Sequence, residues 1–220
     1  MAQRQKPVIT NLIFDFDGTL ADSLPAMIAV FNKRIRGDKN PLTYDEIERL
    51  RDMTSRQAIR NLGIRWWQIP KFLLQGMGDF HALVPTLKSF TGLPQTIQAL
   101  HKNGYQLFIV TSNTDENVEL FLKNNGLETY FSDMATGSGL FRKAKHIRRL
   151  MKKHGLKRRS TVYIGDETRD IAAARLSFIK GISVTWGFNT KCILARQRPS
   201  YIIDKPKELI DIVNSSVALT

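Results

Sequence analysis

Ile13-Phe14-Asp15-Phe16-Asp17-Gly18-Thr19-Leu20 is the stretch on which the reading of this chain turns. The residues that lead into it, Val8 to Phe14, form a short run rich in branched and aromatic side chains, as a strand buried on both faces would be. Two aspartates at the carboxyl end of such a strand repel each other and lose hydration when buried. A core with no use for charge would hold Val or Ile there. The pair makes sense where a divalent cation and an anionic substrate share one site, and Gly18 lets the backbone turn and approach a ligand closely. Asp17-Gly18 alone would also suit an ordinary turn. The rest of the sequence argues against so plain a role.

Downstream of about residue 94, helical and strand patterns alternate. Pro94 opens a helix that closes at Asn103-Gly104, and Gln106 to Val110 is an apolar strand. Thr114 caps a helix through Asn124, and a short strand is expected over Phe131 to Ala135, followed by a loop from Thr136 to Leu140. A basic helix then runs to His154-Gly155, Val162 to Ile164 is a strand, and Asp170 to Leu176 is helical. Gly181 to Val184 and Tyr201 to Ile203 are further strands, and Pro206 starts a last helix through Val213. This alternation predicts an α/β fold: a doubly wound, mostly parallel sheet covered on both faces. In such sheets ligands sit beyond the carboxyl ends of the strands, so chemically loaded strand ends converge on one crevice.

Residues 21 to 90 break the alternation and read as helical throughout. Leu24 to Arg36, Thr43 to Arg51, Thr54 to Leu62, Trp66 to Leu74 and Asp79 to Phe90 are the expected segments, and Thr43-Tyr44-Asp45-Glu46 is a capping box. An all-helical block inserted after the first strand predicts a separate lid. The expected division is an α/β core from residues 1–20 and 91–220, with a helical cap from 21–90.

Two further strand ends carry chemistry. Leu107 to Val110 runs into Thr111-Ser112-Asn113, whose hydroxyl and amide groups would serve a phosphate or merely cap the next helix. Val162 to Ile164 runs into Gly165-Asp166-Glu167-Thr168-Arg169-Asp170, with Asp166 and Asp170 one helical turn apart. An acidic helix start favoured by the macrodipole is the simpler reading of that second stretch. Lys143 and Lys145 lie between the two, either able to point inward.

Composition bounds the rest. The 220 residues suffice for one sizeable core with a smaller insertion, and 42% hydrophobic with 24% charged residues is the balance of a globular chain. No apolar run approaches a membrane span, the start has no secretion signal, and Cys192 is the single cysteine. A cytoplasmic monomer or homodimer with no membrane partner is expected. The net charge of +13 is concentrated between Arg142 and Arg159. There Ile147, Leu150 and Met151 recur at helical spacing, which predicts an amphipathic helix with a solvated basic face that steers small anions. A nucleic-acid surface is the weaker reading, and nucleic acid is not an expected partner.

At this point the chain resembles the haloacid dehalogenase superfamily of phosphohydrolases, and within it the phosphoglycolate phosphatase-like branch. Asp15-Phe16-Asp17-Gly18-Thr19 matches the first motif, Thr111 or Ser112 the second, a lysine of the basic helix the third, and Gly165-Asp166 with Asp170 the fourth. The helical insertion after Leu20-Ala21-Asp22-Ser23 and the ending Arg198-Pro199-Ser200-Tyr201-Ile202-Ile203 look like that branch. One departure is the absence of the proline that usually follows the motif lysine, so Lys143 is preferred over Lys145 only because it lies where the loop passes into the helix.

The resemblance implies a Rossmann-like core with an inserted cap, Mg2+ as cofactor and a small phosphorylated substrate. It implies metal ligation by Asp15, Asp166 and the backbone carbonyl of Asp17. Asp15 would attack phosphorus and form an aspartyl-phosphate, because Mg2+ and Lys143 offset the repulsion between carboxylate and phosphate. Asp17 would protonate the leaving alkoxide and then activate water. Thr111, with Ser112, Asn113 and Lys143, would bind the phosphoryl oxygens, and Asp170, Gly18 and Thr19 would support the site. A sugar phosphomutase on the same core and a nucleic-acid end phosphatase using the basic helix are the alternatives. Substrate choice would rest on lid side chains such as Arg56, Trp66 and Trp67, the tryptophans being placed rather in the lid core.

Overall fold

A computed structural model describes residues 8–37, 40–137 and 142–215. Six strands form one parallel sheet: β1 (Asn11–Phe14), β2 (Gln106–Val110), β3 (Asp133–Ala135), β4 (Thr161–Gly165), β5 (Lys180–Val184) and β6 (Tyr201–Ile203). Their spatial order is β3-β2-β1-β4-β5-β6, so the first strand in sequence is central. Phe14 pairs in register with Ile109 of β2 and Ile164 of β4, which brings the ends of all three strands level.

Alternation along the strands builds a core on each face. Leu12, Phe14, Leu107, Ile109, Val162 and Ile164 point to one side, against α5 (Leu93–Lys102), α6 (Asp115–Asn124) and α10 (Glu208–Ser215). Ile13, Phe108, Val110 and Tyr163 point to the other, against α7 (Lys143–Lys153) and α8 (Thr168–Leu176). The basic helix thus buries Ile147, Leu150 and Met151 and exposes Arg148 and Arg149, as its spacing predicts. The central strands β1 and β4 are buried end to end, as a parallel sheet covered on both sides requires.

Between β1 and α5 lie α1 (Leu24–Phe31), α2 (Tyr44–Arg51), α3 (Ser55–Asn61) and α4 (Ile69–Leu83). Thr43 with Glu46 and Thr54 with Gln57 form capping boxes at the starts of α2 and α3. The helical block is entered and left by paired backbone: Ala21 bridges Ser89 in antiparallel fashion, and Asp22 N–H donates to Lys88 O at 2.9 Å. Among the described residues no helix is long and apolar enough to cross a membrane.

Several expected boundaries move. The first strand begins at Asn11 rather than Val8. The segments expected over Trp66 to Leu74 and Asp79 to Phe90 are joined by α4, which runs through Gly76 and Gly78. Gly76 faces Val30 of α1 so closely that an added Cβ would lie 3.1 Å from its Cγ1, so tight helix packing accounts for a glycine that reads as a break. A helix absent from the sequence reading, α9 (Lys191–Arg196), is capped by Thr190 and buries Ile193 and Leu194. Six residues are too few to show a helical period. Most of the loop expected over Thr136 to Leu140 lies outside the described residues.

Candidate active site

Asp15 follows β1 and is held in the sheet, its N–H donating to Ile164 O at 2.8 Å and its Oδ1 accepting from Phe16 N at 2.8 Å. Its other oxygen, Oδ2, accepts from Lys143 Nζ at 2.6 Å. The same ammonium donates to Asp170 Oδ1 at 2.6 Å, so one buried lysine bridges two buried aspartates. Burial would lower the Lys143 pKa, but Asp15 and Asp170 outweigh it and hold the group charged. Lys145 is exposed, so of the two candidate lysines the fold turns Lys143 inward.

Asp166 follows β4 beside Asp15. Its Oδ1 accepts from Thr19 Oγ1 at 2.9 Å and its Oδ2 from Phe188 N at 2.7 Å. Gly18, at φ +71°, and Gly187 both close over this carboxylate, and a Cβ on either would collide with it. Asp170 Oδ2 accepts from Glu167 N at 2.9 Å and so closes the first turn of α8.

Ligand oxygens of Asp15, Asp166 and Asp170 lie within 4.8 Å of one another. Burial pushes all three carboxyls up: Asp15 against the pull of Lys143, Asp166 well up with help from Glu167 and Asp170, and Asp170 to about 6. A buried cluster of hard oxygen donors that resists ionisation is short of positive charge. A divalent cation such as Mg2+ fits this donor set.

Asp17 is turned away from that cluster. Its Oδ2 accepts from Asn113 Nδ2 at 2.9 Å, and its Oδ1 is buried with no well-aligned hydrogen bond among the described residues. Burial raises its pKa, while Asn113 and Ser23 favour the charged form, so the carboxyl is biased toward carrying a proton. Thr111 is fully buried at the end of β2, with its Oγ1 accepting from Asn113 N at 3.1 Å. Ser112 is half-buried beside it. The Asn113 side chain serves Asp17 and the start of α6, where Thr114 N donates to its Oδ1 at 2.9 Å.

Glu167, Ser55, Arg169 and Asn189 take part without a sequence motif to mark them. Glu167 Oε1 accepts from Arg169 Nη2 at 2.6 Å, and Oε2 from Ser55 Oγ of the helical block at 2.7 Å. Burial would raise Glu167, but Arg169 and Lys143 outweigh it and keep it ionised. Arg169 Nε and Nη1 are buried without hydrogen bonds among the described residues, adding positive charge near Asp15. The loop after β5 clamps the block as well: Asn189 Nδ2 donates to Arg51 O and Met53 O, each at 2.9 Å. Of the lid residues named from sequence, Arg56 and Trp67 are exposed, so Trp67 is not part of the lid core. The Trp66 side chain lies outside the described residues.

Comparison with known proteins identifies the family. The family model for haloacid dehalogenase-like hydrolases matches residues 12–184. A phosphoglycolate phosphatase from Synechococcus elongatus is 32% identical over 203 residues, spanning 92% of this chain and 96% of that protein. Another from Agrobacterium fabrum is 29% identical over 210 residues, 90% of each chain. In fold, a haloacid dehalogenase-like hydrolase from Streptococcus pneumoniae superposes with a TM-score of 0.78 at 23% identity, covering 93% of this chain and 98% of that one. The match runs from the first loaded strand end through the last, and on it the chain belongs to the haloacid dehalogenase-like hydrolases.

Proposed function

We propose that the protein is a Mg2+-dependent phosphatase that hydrolyses a small phosphate monoester through an aspartyl-phosphate on Asp15. The observation that carries this reading is the buried bridge from Lys143 to Asp15 and Asp170. The fixed cation orients a carboxylate that would otherwise be neutralised by burial. Asp15 Oδ1 is held by its own strand end, so the carboxylate has one orientation relative to the crevice. The Asp15 and Asp166 carboxylates and the Asp17 carbonyl would hold the metal, with Asp170 alongside. When bound, Mg2+ would neutralise charge on the phosphoryl oxygens.

Each side chain then has one task. Lys143 and the buried hydroxyl of Thr111 contact the phosphoryl oxygens, with Ser112 at the rim. Asp15 attacks in line as the ester P–O bond breaks. Asp17 gives its proton to the departing oxygen and later takes one from the water that attacks the aspartyl-phosphate. Thr19 and Gly18 hold Asp166 in place, and the helical block excludes bulk water.

The names of the relatives support phosphoglycolate as the first substrate to assay. A panel of phosphorylated metabolites, with and without chelator, tests the reading together with Asp15→Asn. Turnover that needs Mg2+ and falls by several orders of magnitude in the variant is expected. Hydrolysis by Asp15→Asn at the wild-type rate would end the assignment.

A further inference from the structure

Asp17 is reached by a line of hydrogen bonds that starts outside the crevice. His81, in the last turn of α4, lies with Nδ1 2.6 Å from Asn117 Oδ1. Asn117, buried on α6, donates from Nδ2 to Asn113 Oδ1 at 2.8 Å. Asn113 in turn donates from Nδ2 to Asp17 Oδ2 at 2.9 Å.

The direction of the line is fixed by its own chemistry. Thr114 N–H can only donate, and it points at Asn113 Oδ1 at 2.9 Å. That sets the Asn113 amide with its nitrogen toward Asp17. Asn117 must then offer its nitrogen to Asn113 and its oxygen to His81, so His81 carries its hydrogen on Nδ1. Every donor in the line points toward Asp17, an arrangement in which each bond polarises the next. Asp17 Oδ2 is therefore held as an acceptor, and Oδ1, buried with no well-aligned hydrogen bond among the described residues, is the oxygen left for the leaving group.

We infer that His81, Asn117 and Asn113 are positioning residues for the general acid, and that His81 makes the orientation of Asp17 depend on the seating of the helical block. The inference rests on the phosphatase reading. In the step concerned the proton on Asp17 Oδ1 passes to the ester oxygen as the P–O bond breaks, and the bonding electron pair stays on that oxygen. The line touches neither phosphorus nor Asp15, so it acts only where the leaving group needs that proton.

The test compares kcat/KM for an alkyl phosphate, whose leaving group needs a proton, with 4-nitrophenyl phosphate, whose leaving group departs without one. His81→Leu lies at an exposed position and leaves the core intact. It is expected to lower the alkyl-to-aryl ratio by about tenfold, part of the ~10²–10⁴-fold that a positioned acid supplies. In an Asp17→Asn background the same change should alter the ratio no further, since there is no acid left to position. An unchanged ratio in His81→Leu, or a further fall in the Asp17→Asn background, would overturn the inference. Either result is separate from the phosphatase reading, which stands or falls with Asp15→Asn.

Discussion

Ser55 Oγ donates to Glu167 Oε2 at 2.7 Å, so the helical block and the α/β core share a hydrogen bond at the rim of the crevice. The acceptor is an ionised carboxylate, which makes the bond stronger than one between neutral groups. Because Ser55 is the first residue of α3, the bond also fixes the end of that helix against the core.

Ser55→Ala should therefore loosen closure more than it loosens the fold. A hydrogen bond to a charged group contributes about 1.5–3 kcal/mol, which corresponds to roughly a tenfold or greater fall in kcat/KM if all of it acts on the closed form. Steady-state kinetics would show the loss, and amide exchange over residues 54–61 should quicken. An unchanged kcat/KM would mean that the contact has no part in closure.

Lys143→Met should damage both activity and folding. It leaves Asp15 and Asp170 buried without their shared counter-ion, a loss of about 3–5 kcal/mol for a broken buried pair. The fall in melting temperature should be larger in EDTA than in Mg2+, because a dication in the same cluster restores part of the missing charge. Equal falls in the two conditions would speak against a metal among these carboxylates.

The pH dependence follows from Asp170, which burial pushes from 3.8 up to about 6. With the folded pKa above the unfolded one, the native state binds more protons between these values. In the metal-free protein Asp170 should thus contribute more to stability near pH 4 than near pH 7, that part being lost as pH rises through about 6. Mg2+ should oppose the trend, because it competes with protons for the same oxygens. In melting curves across pH 4–8 the stabilisation gained on replacing EDTA with Mg2+ should grow as pH rises, and a gain that does not change with pH would speak against this competition.

Gly187→Ala should weaken metal binding while the sheet stays intact. Its added Cβ would strike the Gly18 carbonyl and the Asp166 carboxylate, so either the loop or Asp166 must move. A rise of several-fold in the Mg2+ concentration needed for half-maximal activity is expected, with little change in far-ultraviolet circular dichroism. A normal metal requirement would show that the loop yields instead.

Much of this was open to inspection in the chain itself, for definite reasons. The strands of a parallel sheet are buried on both faces, so Gln106 to Val110 and Val162 to Ile164 appear as plain apolar runs, and β2 falls where it is expected. Asp15 and Asp166 stand out because charge at the end of such a run is costly. Lys143 could not be separated from Lys145 by spacing, because inward and outward positions on a basic helix differ in neighbours rather than in residue type. Glu167, Arg169, Asn117 and His81 went without a role for a related reason. Each is polar in a helix end or turn, where polar residues are common, and the partners Ser55 of Glu167 and Asn117 of His81 lie far along the chain. The single helix α4 escaped notice because Gly76 and Gly78 resemble a break until the packing against Val30 is seen.

The central place of β1 has a consequence during synthesis. Asn11 to Phe14 leave the ribosome before the other strands, but their neighbours in the sheet are Gln106 to Ile109 and Thr161 to Ile164. The sticky apolar segment must wait through most of translation for both flanks, whereas α1 to α4 meet partners made within tens of residues. The helical block can assemble on the nascent chain while β1 stays unpaired, held close to Lys88 and Ser89 by the bridge at Ala21 once they emerge. The last strand to pair with β1 leads directly into Asp166, so the nascent chain can complete its carboxylate cluster only late in its own production.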